Sequence, residues 1–101
     1  MAAKKFSTRC KDCERLVNFL AESKKKFPDY FCKPVPPFGD DNARLLIVGL
    51  APGLHGANAT GRPFTGDHAG ILLYQTLYKF GFSSAPESEH VKDGLQLIDV
   101  R

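Results

Sequence analysis

A loop rich in glycine and proline, lying between an apolar run and a segment with helical periodicity, constrains this chain more than any other feature. The apolar run at residues 45–48 predicts a short strand over residues 44–49 that is buried on both faces. Glycines and prolines then recur up to Asp67, a residue suited to cap a helix that begins near His68. Open α/β folds bind ligands in loops that follow the carboxyl ends of strands. We therefore expect a ligand site in this loop.

The rest of the chain supplies the other elements of a small α/β fold. Apolar residues recur at three- and four-residue spacing in residues 13–26, and a run of lysines closes this amphipathic helix. The proline-rich residues 27–42 predict an extended segment that is pinned by aromatic rings. A second helix is predicted at residues 68–80 and a second strand at residues 95–100. Strand, helix and strand in this order form a βαβ unit, so we expect the two strands to be parallel.

The composition is that of one small domain outside the membrane. The chain has 101 residues, 43% of them hydrophobic, and its apolar runs are too short for a spanning helix. A formal charge of +3 permits an anionic partner but does not require one, and nothing predicts the oligomeric state. No secretory signal is visible, so we expect a cytoplasmic protein with reduced thiols. Because the sequence stops inside the second predicted strand, we expect the N-terminal part of a larger domain.

Common phosphate-binding and catalytic motifs are missing from the loop. It lacks G-x-x-x-x-G-K-[ST], and G-x-G-x-x-G does not follow the first strand, which disfavours a P-loop or a dinucleotide site. The G-x-S-x-G elbow of serine hydrolases is also missing. Cys10 and Cys13 have the spacing of a metal-binding pair, but zinc and iron–sulfur sites usually need four ligands. Taken alone, the pair is either half a metal site or two chance thiols, and Cys32 is a possible third ligand.

Three stretches of sequence together carry a resemblance to a known family. They are the loop motif (G-L-A-P-G, H-G-A-N and T-G-R-P-F-T-G-D, within residues 49–67), the Cys10-x-x-Cys13 pair, and P-V-P-P-F-G-D at residues 34–40. They resemble the uracil-DNA glycosylase superfamily, and within it family 5, the type-b enzymes that carry an iron–sulfur cluster. The resemblance implies a three-layer α/β/α fold with a parallel sheet, incomplete in this chain. It also implies hydrolysis of the N-glycosidic bond of uracil, or of another deaminated base, flipped out of DNA.

The resemblance also implies roles for residues of the loop. Phe64 matches the ring that stacks on the extruded base. The backbone N–H groups around Leu50 and Ala51 match the donors that bind the base carbonyl and stabilise the leaving anion. Ala51 stands where other families hold a carboxylate or amide that activates water, so Asn58 is the candidate that positions water or the base. Gly53 replaces a bulky tyrosine of the uracil-only families, which implies tolerance of larger deaminated bases.

The resemblance leaves His55 and the cysteines with less specific roles. His55 contacts either a DNA phosphate or carbonyl groups of the loop. Cys10 and Cys13 match two of the four ligands of a [4Fe–4S] cluster. The other two ligands, and a second active-site motif that contains histidine, follow the second strand in the family. Cys32 is not at a ligand position of the family, so we interpret it as a buried thiol.

Several residues keep a structural alternative. Phe64 is either a stacking ring or a core ring, and Asn58 either positions water or makes a local bond within a turn. Asp67 is interpreted as a helix cap rather than a catalyst, and Arg62 either contacts an anion or pairs with Asp67. For the whole chain, the alternative function is a small non-enzymatic module that binds metal or nucleic acid. A third possibility is an unrelated nucleotide-binding α/β domain.

Overall fold

Three helices are present in residues 6–101, the part of the chain that the computed structural model describes. They are α1 (Glu14–Lys26), α2 (Ala57–Thr60) and α3 (His68–Lys79). The positions of α1 and α3 confirm the two helices predicted from apolar periodicity. None of these helices combines the length and the apolar content that crossing a membrane requires.

The ends of α1 and α3 follow from capping and charge. Asp67 caps α3, because its side-chain Oδ1 accepts a hydrogen bond from the backbone N–H of Gly70 at 3.0 Å. The predicted cap is therefore confirmed. Just beyond α3, Gly81 adopts a φ of +83°, a left-handed conformation that is favourable only for glycine. In α1, Glu14 lies in the first turn and three lysines lie in the last, where each charge suits the helix dipole.

The apolar face of α1 is largely exposed. Leu16 and Phe19 are 54% and 47% exposed, and Ser23 is the residue of this helix that is buried. The Ser23 hydroxyl donates to the carbonyl oxygen of Phe19 at 2.8 Å, so even this buried group is satisfied within the helix. The amphipathic pattern predicted for the helix is real, but within residues 6–101 it does not join the core.

The two segments predicted as strands pair in parallel, as expected, but only over a few residues. Leu45 and Val100 form a parallel bridge. The N–H of Leu45 donates to the carbonyl oxygen of Asp99 at 3.3 Å, and the N–H of Arg101 donates to that of Leu45 at 3.0 Å. A third bond runs from the N–H of Ile47 to the carbonyl oxygen of Arg101 at 2.7 Å. These three bonds alternate as in a parallel ladder.

Residues 6–101 do not form a β-sheet, and the first predicted strand is not buried. Leu46 and Val48 are 68% and 81% exposed. A strand is buried on both faces only where packed layers cover both faces, and no such layers cover these two side chains. The prediction of a doubly buried strand is therefore wrong here, and the three-layer fold with a parallel sheet is not confirmed. An antiparallel bridge between Ser83 and Leu97 is the other short pairing, and it was not predicted.

The core lies between α3 and the last residues of the chain. Four buried side chains form it: Tyr74, Leu77, Leu95 and Val100. Partly buried side chains packed against them include Phe38, Ile47 and Phe64. Burial raises the pKa of Tyr74, whose hydroxyl donates to the carbonyl oxygen of Pro63 at 2.8 Å. This bond ties the core face of α3 to the loop before it.

The buried face of α3 differs from the predicted stripe. Leu77 is buried and Leu73 is half-buried, as expected, but Phe80 is 66% exposed. Phe80 follows the last helical residue, where the backbone leaves the helical path, so its ring does not continue the stripe. Tyr74, which was placed beside the stripe, is buried instead.

The proline-rich residues 27–42 contain no helix, as predicted, and run across α2. The N–H groups of Phe31 and Cys32 donate to the carbonyl oxygens of Ala59 and Asn58, at 3.1 and 3.0 Å. These bonds pin the segment to the loop that precedes α3.

Candidate active site

The loop that precedes α3 folds around α2, a helix too short for periodicity to reveal. The carbonyl oxygen of Gly53 accepts hydrogen bonds from the N–H groups of Gly56 and Asn58, at 3.2 and 3.0 Å. Gly61 ends the helix in a left-handed conformation, with a φ of +82°, and its N–H donates to the carbonyl oxygen of Ala57 at 2.7 Å. The loop is therefore ordered by its own backbone bonds, and the prediction of an irregular path is wrong at α2.

This loop lines a cavity of about 440 Å³. Sites for small molecules span about 300–1,000 Å³, so the cavity is large enough for one. Four residues predicted to form the site line it together: Leu50, Ala51, Gly53 and Phe64. Asp67 lines it as well and also caps α3. Leu50, near the start of the motif, and Asp67, at its end, thus line the same cavity.

Phe64 has a backbone conformation that is unusual for a residue with a side chain. Its φ is +54°, and such left-handed conformations cost about 1–3 kcal/mol for residues other than glycine. Its ring lies against Gly49, where a Cβ atom would come within 2.7 Å of the ring Cζ. Its carbonyl oxygen lies so close to Gly70 that a Cβ atom there would overlap it. Phe64 is half-buried between the cavity and the core. Its surroundings therefore fit both predicted alternatives, a ring that stacks on a base and a ring that packs in the core.

Among the described residues, the backbone at the start of the loop has unpaired hydrogen-bond donors in residues that line the cavity. Within residues 6–101, the N–H groups of Leu50 and Ala51 donate to no protein acceptor, and both residues are exposed. Backbone donors at a cavity can bind a carbonyl oxygen and stabilise the negative charge that develops on it. Their role toward a base stays a prediction.

Asn58 faces a different cavity from Phe64. This second cavity, of about 860 Å³, is lined by Asn58, Ala51, Pro52 and the two cysteines Cys10 and Cys13, among others. Asn58 is 4% exposed, and its Nδ2 donates to the carbonyl oxygen of Leu54 at 3.2 Å and to Sγ of Cys32 at 3.6 Å. The bond to Leu54 fits the alternative of a local turn contact. Asn58 and Ala51 both line this second cavity, whereas Asn58 does not line the cavity of Phe64.

His55 lies apart from both cavities. It is exposed, and its Nδ1 shares a 2.8 Å hydrogen bond with the hydroxyl of Tyr30. Its ring meets the rings of Phe27 and Tyr30 edge-on, with centroids 5.2 and 5.8 Å apart. The backbone carbonyl of Tyr30 also accepts a bond from Nζ of Lys24 at 2.6 Å. The predicted contact of His55 with DNA is not tested by this arrangement and stays a prediction.

Cys10 and Cys13 are exposed and precede α1. In the described part of the chain, no group of three or more His, Cys, Asp or Glu side chains is placed to hold a metal ion. Two exposed thiols that line one cavity fit two ligands of an iron–sulfur cluster, which needs four. Cys32 is buried against Asn58, which confirms its interpretation as a buried thiol.

Sequence reasoning missed a buried polar cluster around Arg62. The Arg62 side chain is 4% exposed, and its Nη1 donates to Oδ1 of Asp93 and to Oγ of Ser88, each at 2.9 Å. Its guanidinium also lies over the ring of Phe38, 4.3 Å from the centroid. The alternative in which Arg62 pairs with Asp67 is therefore wrong. No sequence signal could connect Arg62 with Asp93, because 31 positions separate them.

Asp93 is ionised within this cluster. Burial alone would raise the pKa of its carboxyl group. The N–H groups of Glu89 and Leu95, at 2.9 and 3.0 Å, together with the Arg62 guanidinium, outweigh burial and hold the pKa well below its usual range. The cluster is thus a satisfied ion pair rather than a binding site for an external anion.

Comparison with known proteins identifies the family. The model of the uracil DNA glycosylase superfamily matches residues 36–99, which is more than half of the chain. The chain belongs to the uracil DNA glycosylase superfamily. The resemblance drawn from the loop motif is therefore confirmed, and membership implies an α/β fold.

Similar curated proteins are named type-5 uracil-DNA glycosylase. One from Thermus thermophilus is 52% identical over 86 residues, which are 80% of this chain and 39% of the relative. One from Mycobacterium leprae is 46% identical over 98 residues, 91% of this chain and 43% of the relative. One from Pyrobaculum aerophilum is 42% identical over 92 residues, which are 87% of this chain and 41% of the relative. The chain therefore spans about two fifths of the length of these relatives.

Proposed function

We propose that this chain is part of a base-excision repair enzyme that hydrolyses the N-glycosidic bond of uracil in DNA. The observation that carries the proposal is the cavity where Phe64 meets Leu50, Ala51 and Gly53, in a chain of this superfamily. Enzymes that act on a base of DNA flip it out of the helix into such a pocket. The substrate is uracil-containing DNA, and the net charge of +3 is compatible with it.

The cavity binds the base by stacking and by backbone donors. Phe64 supplies a flat face on which an extruded base stacks, and stacking tolerates different bases. The N–H groups of Leu50 and Ala51 donate to a carbonyl oxygen of the base and stabilise the anion that leaves. Gly53 adds no side chain to this space, which leaves room for deaminated bases larger than uracil.

Asn58 holds the attacking water from the neighbouring cavity, which shares Ala51 and Pro52 with the cavity of Phe64. The Ala51 methyl group has no proton to exchange, so the loop has no acid or base at that position. Both N–H bonds of the Asn58 amide are directed at protein acceptors, the carbonyl oxygen of Leu54 and the sulfur of Cys32. The amide oxygen is left as the acceptor that orients a water molecule beside Ala51.

We infer that a longer protein completes both the fold and a cluster site. The parallel bridge between Leu45 and Val100 is the start of the sheet in a three-layer α/β/α fold. Cys10 and Cys13 supply two ligands of a [4Fe–4S] cluster, and two further cysteines supply the others. Cys10 and Cys13 would hold such a cluster at one end, and it would cross-link them to a distant part of the chain.

Release of uracil from a defined oligonucleotide tests the proposal. The protein expressed from its complete reading frame is incubated with DNA that holds one uracil, and abasic sites are then cleaved by alkali. We expect cleavage at the uracil position and none in a control oligonucleotide with thymine at that position. A folded protein that releases no uracil from single- or double-stranded DNA would contradict the proposal.

A further inference from the structure

We propose that Arg62, Ser88 and Asp93 form a positioning cluster that holds Phe64 in its base-stacking conformation, an inference that rests on the function proposed above. The left-handed backbone of Phe64 does not persist by itself, because a residue with a side chain is disfavoured there. Something around it must fix the chain on both sides.

Tyr74 and Thr60 bond the carbonyl oxygens of Pro63 and Thr65, the two neighbours of Phe64, at 2.8 and 3.0 Å. In addition, side chains from both sides of Phe64 meet at one atom, the hydroxyl oxygen of Ser88. Arg62 precedes Phe64 by two positions and donates from Nη1 to Ser88 Oγ at 2.9 Å. Thr65 follows Phe64 directly, and its Oγ1 shares a 2.7 Å hydrogen bond with the same Ser88 Oγ. Ser88 therefore clamps the residues before and after Phe64 from a segment 23 or more positions away in sequence.

The clamp is largely buried and anchored to the core. Thr65 is fully buried and Arg62 is 4% exposed, whereas Ser88 is half-buried, so water has little access to the Arg62 and Thr65 side chains. Asp93 holds Arg62 by an ion pair of 2.9 Å and also accepts a bond from the N–H of Leu95, a core residue. The chain of contacts thus runs from the core through Asp93 and Arg62 to the backbone at Phe64.

These cluster residues act through Phe64 rather than on the base. Arg62, Ser88 and Asp93 do not line the cavity of about 440 Å³ that Phe64 shares with Leu50, Ala51 and Gly53. Ser88 lines a different cavity with Phe64, of about 590 Å³, to which those three loop residues do not contribute. In a catalytic site, displacement of a group by about 1 Å can cost about a hundredfold in rate. A looser clamp therefore lowers excision by letting the Phe64 ring leave its stacking position.

A double-mutant cycle tests this coupling in the protein expressed from its complete reading frame. Ser88→Ala removes the shared hydroxyl and keeps the Arg62–Asp93 ion pair, so the fold should persist. We expect it to lower the single-turnover rate of uracil excision about three- to tenfold, as the loss of one or two hydrogen bonds implies. In the Phe64→Ala background the same change should have almost no further effect, since the ring through which it acts is gone.

Two further variants control the cycle. Ser84→Ala removes another serine hydroxyl of the same segment, one that accepts a bond from the N–H of Gln96 and touches neither flank of Phe64. It should leave the rate unchanged. Ser88→Thr keeps the hydroxyl and should restore most of the rate. Equal losses from Ser88→Ala in both backgrounds would overturn the proposal.

Hydrogen–deuterium exchange of the peptide containing Phe64 gives a readout that needs no activity. We expect its amides to exchange faster in the Ser88→Ala variant than in the Ser84→Ala variant. Equal exchange in the two variants would overturn the positioning role even if the rates differed. If the folded wild type releases no uracil, the proposed function fails, and this exchange measurement alone decides whether the cluster holds Phe64.

Discussion

Replacing Gly49 with alanine should displace the Phe64 ring and leave the fold nearly intact. The added Cβ atom would lie 2.7 Å from Cζ of Phe64 and 3.1 Å from Cε1. Carbon atoms in contact are about 3.5–4.0 Å apart, so the ring must move by about 1 Å. It can do so by rotating about its side-chain bonds, because the clash is with the far end of the ring and not with the backbone.

We expect Gly49→Ala to reduce the rate of excision much more than the stability. A shift of about 1 Å in a reacting site can cost about a hundredfold in rate. Overpacking typically lowers the free energy of unfolding by about 1–3 kcal/mol, and a movable ring places this change at the lower end of that range. Single-turnover release of uracil measures the rate, and thermal unfolding of the same preparations measures the stability.

The Phe64→Ala background supplies the control for this prediction. Without the ring, the alanine at position 49 no longer meets Cζ or Cε1, so it should not lower the residual rate further. An unchanged rate after Gly49→Ala in the otherwise native protein, or equal losses in both backgrounds, would refute the reasoning. Either result would mean that the ring does not lie against Gly49 when the enzyme works.

Four other changes test separate parts of the account. Phe64→Ala should lower uracil excision by about one to two powers of ten, because stacking contributes about 1–3 kcal/mol per base; a folded variant with the full rate would show that the ring only packs. Gly70→Ala should lower the free energy of unfolding by about 1–3 kcal/mol or more, because its Cβ would overlap the backbone carbonyl of Phe64; a wild-type unfolding temperature would contradict this. Asp93→Asn should destabilise the protein more at pH 7 than at pH 3, since the carboxyl pKa is lower in the folded state than its unfolded value of about 3.9. That contribution is complete above about pH 5 and falls as the pH drops, so equal losses at both pH values would argue against the ion pair. Cys10→Ser should remove the brown colour of an iron–sulfur cluster from protein purified without oxygen; undiminished visible absorbance would exclude Cys10 as a ligand.

Much of the local structure could be predicted because its causes are local. Asp67 caps α3 through a bond to an N–H only three positions away. Gly81 follows the same helix in a left-handed conformation that its lack of a side chain allows. The place of Phe64 beside the glycine loop was also predictable, because the motif that carries it is continuous in sequence.

The remaining features depend on contacts between distant parts of the chain. Leu46 and Val48 have the sequence pattern of a buried strand, but their burial depends on layers that residues 6–101 do not supply. The pairing of Arg62 with Asp93 depends on how two loops meet in space, and neither residue reveals its partner in the sequence. The separation of Asn58 from the Phe64 cavity also depends on a contact between distant parts of the chain, because the Asn58 amide on α2 bonds to Cys32.

The position of uracil bound to the complete protein tests the central claim most directly. A crystal structure with free uracil, or with DNA that contains it, locates the base relative to the loop before α3. The account predicts a uracil ring stacked on Phe64, with a carbonyl oxygen about 2.7–3.2 Å from the backbone nitrogen of Leu50 or Ala51. Uracil bound elsewhere, with the cavity of Phe64 left empty, would contradict it.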